Sequence, residues 1–287
     1  PIDAHRETIC EHIRKHSITI IHGETGCGKS SRIPQMLAED VGVENVKMYV
    51  SQPRRIAATS LRKRVANELG KTLGDKALGD NLVGLRMGHG VKVETEKTRI
   101  WFCTAGYLVL LASHHPNVFQ THTHLIIDEI HERSVDTDLL CYIVKGILQK
   151  CPRLKVILMS ATIAAEIYRD YFDMDTDPLF VGSRRCKLTE HFLEDVMELK
   201  DHLALGKAEM QAANELTKCF KSANFQKMAF NQHKLAFHLA RRLGTHGRSV
   251  LIFVSGMAAI EAIVGMFDDI KTRSQTEYMV IPIHSDV

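Results

Sequence analysis

Residues 22–31 read HGETGCGKSS and directly follow the apolar run Ile18–Ile21. Glycine lets backbone N–H groups come close to a ligand, because it has no Cβ atom and tolerates positive φ angles. The spacing from Gly23 to Gly28-Lys29-Ser30 is G-x-x-x-x-G-K-S, the pattern of a loop that holds nucleotide phosphates. The alternative is a glycine-rich turn with a chance lysine, but every fixed position of the pattern is present. We therefore predict a strand ending near Ile21, a helix beginning at Lys29, and a nucleotide site formed by Gly23, Glu24, Thr25, Gly26, Cys27, Gly28, Lys29, Ser30 and Ser31.

Short apolar runs rich in Val and Ile recur along the first half of the chain, separated by segments with helical spacing. The further runs are Val46–Val50, Thr98–Cys103, Leu125–Ile127 and Lys155–Met159, and the helical segments include Ile33–Leu37, Ile56–Leu69 and Leu139–Ile147. Continuous apolar strands that alternate with amphipathic helices are typical of a parallel sheet buried on both faces. The sequence therefore predicts an α/β fold, a parallel sheet covered by helices on both faces.

The pattern changes after about residue 184, where the chain becomes poor in strands and rich in helices. A buried strand is predicted again at SVLIFVSG (249–256), then a helix over 257–267 and another strand at YMVIPIHS (278–285). We expect two domains, 1–183 and 184–287, with a helical insertion near 198–232. The second domain is predicted to begin in this chain and not to be completed.

Composition excludes some classes of protein. The formal charge of +3 over 287 residues is too small to indicate a nucleic-acid partner by itself. Seven cysteines form no C-x-x-C pair, and histidine pairs such as His114-His115 and His122/His124 have no accompanying cysteine or carboxylate pattern, which favours reduced thiols and scattered histidines. No run of 18 apolar residues and no signal segment is present. We expect no membrane association and an intracellular protein, in the cytoplasm or nucleus; the oligomeric state stays open.

Two adjacent carboxylates, Asp128 and Glu129, end the apolar run at 125–127. Neighbouring side chains at a strand end point in different directions, so one carboxylate can hold Mg²⁺ while the other orients or deprotonates a water. Magnesium prefers oxygen ligands together with substrate phosphates, and the Ser30 hydroxyl is a third candidate ligand. Lys29 is expected to neutralise charge on the β- and γ-phosphates.

The order of the motifs resembles that of the DEAH-box helicases of superfamily 2. GETGCGKS (23–30), SQPRRIAA (51–58), TAGYL (104–108), DEIH (128–131), MSAT (159–162) and LIFVSG (251–256) are similar to motifs I, Ia, Ib, II, III and IV of that family. The resemblance implies RecA-like domains, ATP or another NTP with Mg²⁺ as cofactors, and single-stranded RNA in preference to DNA as partner. Cys27 stands where the family usually has serine, and we expect its alkylation to block nucleotide binding.

The same resemblance assigns roles to single residues. It implies that the base of the nucleotide stacks on Arg64, that Ser160 and Thr162 connect the ATP site with the nucleic-acid side, and that His131 faces the second domain. We group these last three with Lys29, Asp128 and Glu129 as catalytic candidates. The implied contacts to nucleic acid are Gln52, Pro53, Arg54, Arg55, Thr104 and Gly106.

Three functions remain open at this point. The first is an ATP-dependent RNA helicase or RNA-protein remodelling ATPase that translocates on single-stranded nucleic acid. The second is a catalytically weak, nucleotide-dependent RNA-binding scaffold, and the third is a DNA translocase. Motifs V and VI of the family are absent from the 287 residues, so we expect very low turnover from this chain alone. We expect the helical stretch at 198–247 to be a family-variable insertion that leads into the second domain; the alternative is a docking site for a protein cofactor.

Overall fold

The computed structural model describes residues 2–162, 165–182, 188–198, 205–222, 225–244, 249–271 and 278–284. The chain divides into two compact units, Pro1–Lys187 and Leu188–Val287. The predicted boundary between residues 183 and 184 falls at a segment, 183–187, that lies outside the described residues. Each unit is described by itself below.

Over its described residues, the first unit contains one sheet of eight strands. They run, in chain order from β1 to β8, over Ile18–His22, Met48–Gln52, Val83–Arg86, Lys92–Val93, Ile100–Thr104, His124–Ile127, Lys155–Ser160 and Leu179–Phe180. The strand order is β4-β3-β5-β2-β6-β7-β1-β8. All five predicted strands of this unit are present, and every pair is parallel except the short edge pair β3–β4. The sheet is thus mixed but mostly parallel.

Helices cover both faces of this sheet, as predicted. The helices α1 to α7 span Arg6–Lys15, Lys29–Val41, Arg55–Thr72, Lys76–Leu82, Ala105–His114, Val135–Lys150 and Ala165–Tyr171. Alternate strand residues belong to two separate cores: Ile126 and Ile157 lie in the core that contains residues of α1, α2 and α3, and Ile127 and Leu158 lie in the core that contains residues of α5 and α6. This alternation follows from the two-residue period of a strand.

The order of the central strands decides where the motifs meet. β2, β6, β7 and β1 are consecutive neighbours, so the segments that follow them leave the sheet side by side at its carboxyl edge. That edge is where open parallel sheets bind ligands. The phosphate loop follows β1, and the acidic pair follows β6.

The second unit is helical over most of its described residues. Its helices α8 to α11 run over Leu193–Glu198, Lys207–Lys221, Phe225–Leu243 and Met257–Lys271. Ala212, Leu216 and Leu235 lie in a small core formed by α9 and α10, and Phe237, Ile263 and Phe267 lie in a second one. Parts of the predicted 198–232 insertion, residues 199–204 and 223–224, lie outside the described residues.

The two strands predicted for the second unit do not form among its described residues. Residues 249–254 and 278–284 belong to no sheet in the structure, and Phe253 is 88% exposed. Ile252, Val254, Tyr278 and Val280 pack on the core around Phe267, while the residues between them face solvent. The expectation of buried strands was wrong, because an apolar run becomes a strand only where a neighbouring strand pairs with its backbone.

None of the described helices combines the length and the apolar character that crossing a bilayer requires.

Candidate functional site

The phosphate loop is a tight turn between β1 and α2. Gly26 and Gly28 have φ angles of +84° and +108°, in the left-handed region that favours glycine. The Gly23 N–H donates to the Ser160 carbonyl at 3.2 Å, which ties the start of the loop to the end of β7. Glu24, Thr25 and Gly26 form the exposed crest of the loop, whereas Cys27 and Lys29 are buried.

Lys29 points back into this loop. Its Nζ atom donates to the carbonyls of Gly23 at 2.5 Å and Glu24 at 3.3 Å, and it lies 3.7 Å from the Cys27 sulfur. A buried ammonium needs such acceptors, because an unpaired buried charge is costly. The positive charge is therefore held at the phosphate loop.

Asp128 lies at the centre of the carboxyl edge and is almost fully buried. Burial raises its pKa, while hydrogen bonding from Ser30 and Gln52, the Glu129 backbone N–H and the charge of Lys29 act in the opposite direction. The structure thus brings the phosphate loop and the acidic residue together, although 98 positions separate Ser30 from Asp128 in the sequence. Ser30 and Asp128, both predicted to hold magnesium, are therefore hydrogen-bonded to each other.

Glu129 has an unusual backbone and an unusual acidity. Its φ angle of +55° lies in the left-handed region, which is uncommon for residues other than glycine and is found repeatedly at functional sites. Burial and the neighbouring charge of Asp128 raise the pKa of Glu129 to about 7. Two carboxylates that repel each other in this way suit a site for a cation.

His131 connects the acidic segment to motif III. Its Nδ1 atom accepts a hydrogen bond from the Ala161 N–H at 3.3 Å and lies 3.3 Å from Glu129 Oε2. Ser160 is buried and donates to the Thr162 carbonyl at 3.0 Å, while the Thr162 side chain is exposed. Among the catalytic candidates, Glu129 and His131 therefore contact each other directly, and Thr162 is held by its backbone.

The predicted nucleic-acid residues lie at two adjacent strand ends. Gln52 ends β2 and is paired in the sheet with Thr104, which ends β5. Arg54 is exposed and lies 3.4 Å from Glu132, and Arg55 is exposed at the start of α3. Pro53 and Gly106 are half-buried. A Cβ atom added at Gly106 would lie 2.7 Å from Oδ2 of Asp136 in α6.

Gln52 does not lie on this exposed surface. It is 2% exposed, and its amide donates to Asp128. The sequence motif placed it with Arg54 and Arg55 because the three residues are close in the chain. A strand end, however, sends neighbouring side chains in different directions.

Arg64 is tied to the phosphate-loop helix through a chain of side chains that the motifs do not reveal. Arg64 Nε donates to Glu68 at 2.8 Å, and Gln35, fully buried on α2, donates to the other oxygen of Glu68 at 2.6 Å. Arg32 in turn donates to Gln35 at 2.6 Å and to Asp3 at 2.8 Å. No motif position marks Glu68 or Gln35, so only their contacts identify them.

Cys27 is completely buried in this structure. Its carbonyl accepts a hydrogen bond from the Ile2 N–H at 3.4 Å, so the N-terminal segment packs behind the phosphate loop. An alkylating reagent therefore reaches the sulfur only if the loop opens.

The donor set fits a magnesium ion that is shared with phosphates. Among the described residues no group of three or more His, Cys, Asp or Glu side chains forms a metal cage by itself. Ser30, Asp128 and Glu129 are all oxygen donors, and Mg²⁺ is usually bound by one or two carboxylates together with substrate phosphates.

The match to a family model agrees with this fold and site. A model described as "AAA domain" matches residues 12–167, more than half of the chain. The chain belongs to this family of phosphate-loop domains.

Curated relatives show more specifically which class of protein the chain resembles. ATP-dependent RNA helicase DHX30 of Homo sapiens is 31% identical over 292 aligned residues, which cover 100% of this chain and 23% of the relative. ATP-dependent RNA helicase DHX29 of Homo sapiens is 29% identical over 339 aligned residues, which cover 99% of this chain and 24% of the relative. These homologues confirm the resemblance to DEAH-box RNA helicases, and the chain spans about a quarter of their length.

Proposed function

We propose that this chain is the nucleotide-hydrolysing core of an ATP-dependent RNA helicase or RNA-protein remodelling ATPase. The observation that carries the proposal is the meeting of Lys29, Ser30 and the Asp128–Glu129 pair at one edge of the sheet. A phosphate-loop turn with two carboxylates beside it supplies what phosphoryl transfer needs, namely positioning and neutralisation of charge.

Each residue of this edge has a defined task in the proposal. The loop N–H groups and Lys29 hold the β- and γ-phosphates, and Ser30 and Asp128 hold the magnesium ion. Bound magnesium neutralises charge on the phosphates during transfer. Glu129, whose pKa is raised to about 7, orients and deprotonates the attacking water.

RNA is the proposed partner. Arg54 and Arg55 are exposed beside the ATP-site edge, and guanidinium groups bind phosphate oxygens well. Contacts of this kind do not read the bases, so binding should be tolerant of sequence and sensitive to salt. The choice of RNA over DNA rests on the names of the relatives.

The first test compares Lys29→Ala with the wild-type chain in equilibrium binding of a fluorescent ATP analogue with Mg²⁺. We expect at least about a hundredfold loss of affinity, because a charge-assisted contact to phosphate is removed and the loop carbonyls lose their donor. Lys234→Ala is the matched control, since that lysine pairs with Glu215 in the second unit. Equal losses in both variants would contradict the assigned nucleotide site.

The second test measures RNA-stimulated hydrolysis in wild type and Glu129→Gln under single-turnover conditions, with protein in excess over ATP, because the expected turnover of this chain is very low. We expect the variant to bind nucleotide but to lose hydrolysis by about a hundredfold or more, because general-base catalysis typically contributes that much. Identical rates in the two proteins, with RNA still bound, would favour a nucleotide-dependent scaffold. Equal stimulation by RNA and by DNA of the same length would favour a nucleic-acid translocase without RNA preference.

A further inference from the structure

Gln52 joins the proposed nucleic-acid loop to the proposed magnesium carboxylate. It is the last residue of β2, and its side chain is buried at 2% exposure. Its Nε2 atom donates at 2.7 Å to Oδ2 of Asp128, the residue that follows the neighbouring strand β6. Gln52 and Asp128 are 76 positions apart in the sequence. Pro53 alone separates Gln52 from the exposed Arg54.

This amide fixes one oxygen of the Asp128 carboxylate, whose other hydrogen bonds from described residues come from its own segment and from the phosphate loop. The other oxygen, Oδ1, accepts the Glu129 N–H at 2.9 Å. With a separate donor on each oxygen, the plane of the Asp128 carboxylate is set by β2 as well as by β6. Hydrogen bonds to a buried charged group are among the stronger ones in proteins.

A second contact links the same two segments at the surface. Arg54 pairs with Glu132 at 3.4 Å, and both of these side chains are partly or largely solvent-exposed. An exposed pair of this type is weak, so a phosphate group can compete with Glu132 for the guanidinium. The loop 52–54 therefore touches the 128–132 segment twice, through a buried contact that persists and an exposed contact that can be exchanged.

We propose that Gln52 is a positioning residue: it orients Asp128 and couples nucleic-acid binding at Arg54 to magnesium-nucleotide binding at the acidic pair. The inference rests on the proposed function and assigns a role inside it. Proline restricts the backbone between Gln52 and Arg54, so a displacement of Arg54 toward a phosphate is carried to the amide of Gln52. Because binding free energies are linked, the coupling must work equally in both directions.

The experiment uses the 287-residue chain and the variant Gln52→Met, which keeps the size of the side chain and removes the donor. The affinity for a fluorescent ATP analogue is measured with Mg²⁺ and with excess EDTA. The affinity for an oligouridine is measured with and without a non-hydrolysable ATP analogue and Mg²⁺. None of these readouts requires turnover.

We expect Gln52→Met to weaken nucleotide binding about tenfold in Mg²⁺ and much less in EDTA, because the lost hydrogen bond acts on the magnesium carboxylate. The factor by which nucleotide changes oligouridine affinity should fall toward one in the variant. Glu132→Gln leaves the buried contact intact and should tighten oligouridine binding, because it removes the competitor for Arg54. Gln149→Met, an exposed glutamine of α6, is the matched control and should match wild type in all four affinities.

Three results would overturn the inference. One is a wild-type coupling factor of one, and another is a Gln52→Met protein with the wild-type coupling factor. The third is equal loss of affinity in Mg²⁺ and in EDTA, which indicates general damage to the fold. Gln52→Asn, which keeps an amide but shortens its reach, repeats the comparison if Gln52→Met unfolds. A wild-type chain that binds no nucleotide at all would overturn the proposed function itself, so the two failures are distinguishable.

Discussion

Two apolar runs of similar composition have opposite environments in this protein. Leu125–Ile127 is a fully buried strand that pairs with β2 on one side and β7 on the other. Residues 251–254, Leu-Ile-Phe-Val, pack one side on the helices of the second unit and leave Leu251 and Phe253 exposed. The comparison teaches that β-branched, apolar sequence is a condition for a buried strand but not a sufficient one, because paired neighbours and helices on both faces must be present as well.

The strongest test of this comparison uses one residue type in both units. Ile126→Ala removes a fully buried side chain from β6 and should lower the free energy of unfolding by about 2–5 kcal/mol, because a cavity forms. Ile281→Ala changes a side chain that is 66% exposed and should cost less than about 0.5 kcal/mol. Urea unfolding followed by far-UV circular dichroism measures both, and fluorescence of the single tryptophan, Trp101, reports on the first unit alone.

A cost for Ile281→Ala as large as that for Ile126→Ala would contradict the comparison. It would mean that the run at 278–284 is buried in solution.

The second prediction concerns the electrostatic consequence of burial in the first unit. The pKa of Glu129 is raised from about 4.5 to about 7, and burial raises that of Asp128 as well. Between these values the folded protein keeps a proton that the unfolded chain has lost, so the free energy of unfolding falls as pH rises from about 4.5 to 7. Relative to wild type in EDTA, Glu129→Gln should therefore become more stable as pH rises through this window. Urea midpoints from Trp101 fluorescence at several pH values measure the difference.

His122 supplies the control of opposite sign. Burial lowers its pKa from 6.5 to about 4, so between these values the unfolded chain holds a proton that the folded protein lacks. His122 therefore contributes to the free energy of unfolding near neutral pH, and this contribution is lost as pH falls from 6.5 to about 4. His122→Phe should abolish this loss of stability at acidic pH. A stability difference between Glu129→Gln and wild type that does not depend on pH would rule out the buried, repelling carboxylate pair.

The smallest expected effect concerns the Arg64–Glu68 ion pair, because Arg64 is the residue on which the nucleotide base is expected to stack. Burial raises the pKa of Glu68, but hydrogen bonds from Arg64 and Gln35 outweigh it and hold the pKa below the usual value. Glu68→Gln should weaken ATP binding about threefold, since exposed pairs contribute less than about 1 kcal/mol, and it should leave tripolyphosphate binding unchanged because that ligand has no base. Competition against a fluorescent ATP analogue measures both affinities.

Glu215→Gln provides the matched variant in the second unit, where Glu215 pairs with Lys234 at 3.1 Å. It should leave both affinities at the wild-type value. A loss of tripolyphosphate affinity in Glu68→Gln would contradict the prediction. It would show that Glu68 acts on the phosphate loop instead of on Arg64.

Much of the first unit could be predicted from the sequence, because its signals are local. The strands at Ile18–His22 and Lys155–Ser160 were indicated by short β-branched runs, and the start of α2 at Lys29 was indicated by the glycine spacing. The strands Val83–Arg86, Lys92–Val93 and Leu179–Phe180 were missed. These are edge or near-edge strands of two to four residues, too short to show a period, and they exist because their neighbours pair with them.

By itself the sequence determined the phosphate loop, the acidic pair and the alternation of strands and helices, because the spacing of a few residues along the chain encodes each of them. The tertiary structure alone decided that Gln52 turns inward to Asp128, that Gln35 of α2 holds Glu68 of α3, and that the run at 251–254 is not a buried strand. Those outcomes depend on which distant segments lie alongside one another. Contacts across 76 positions, or the lack of a pairing strand, leave no mark in the local pattern of residues.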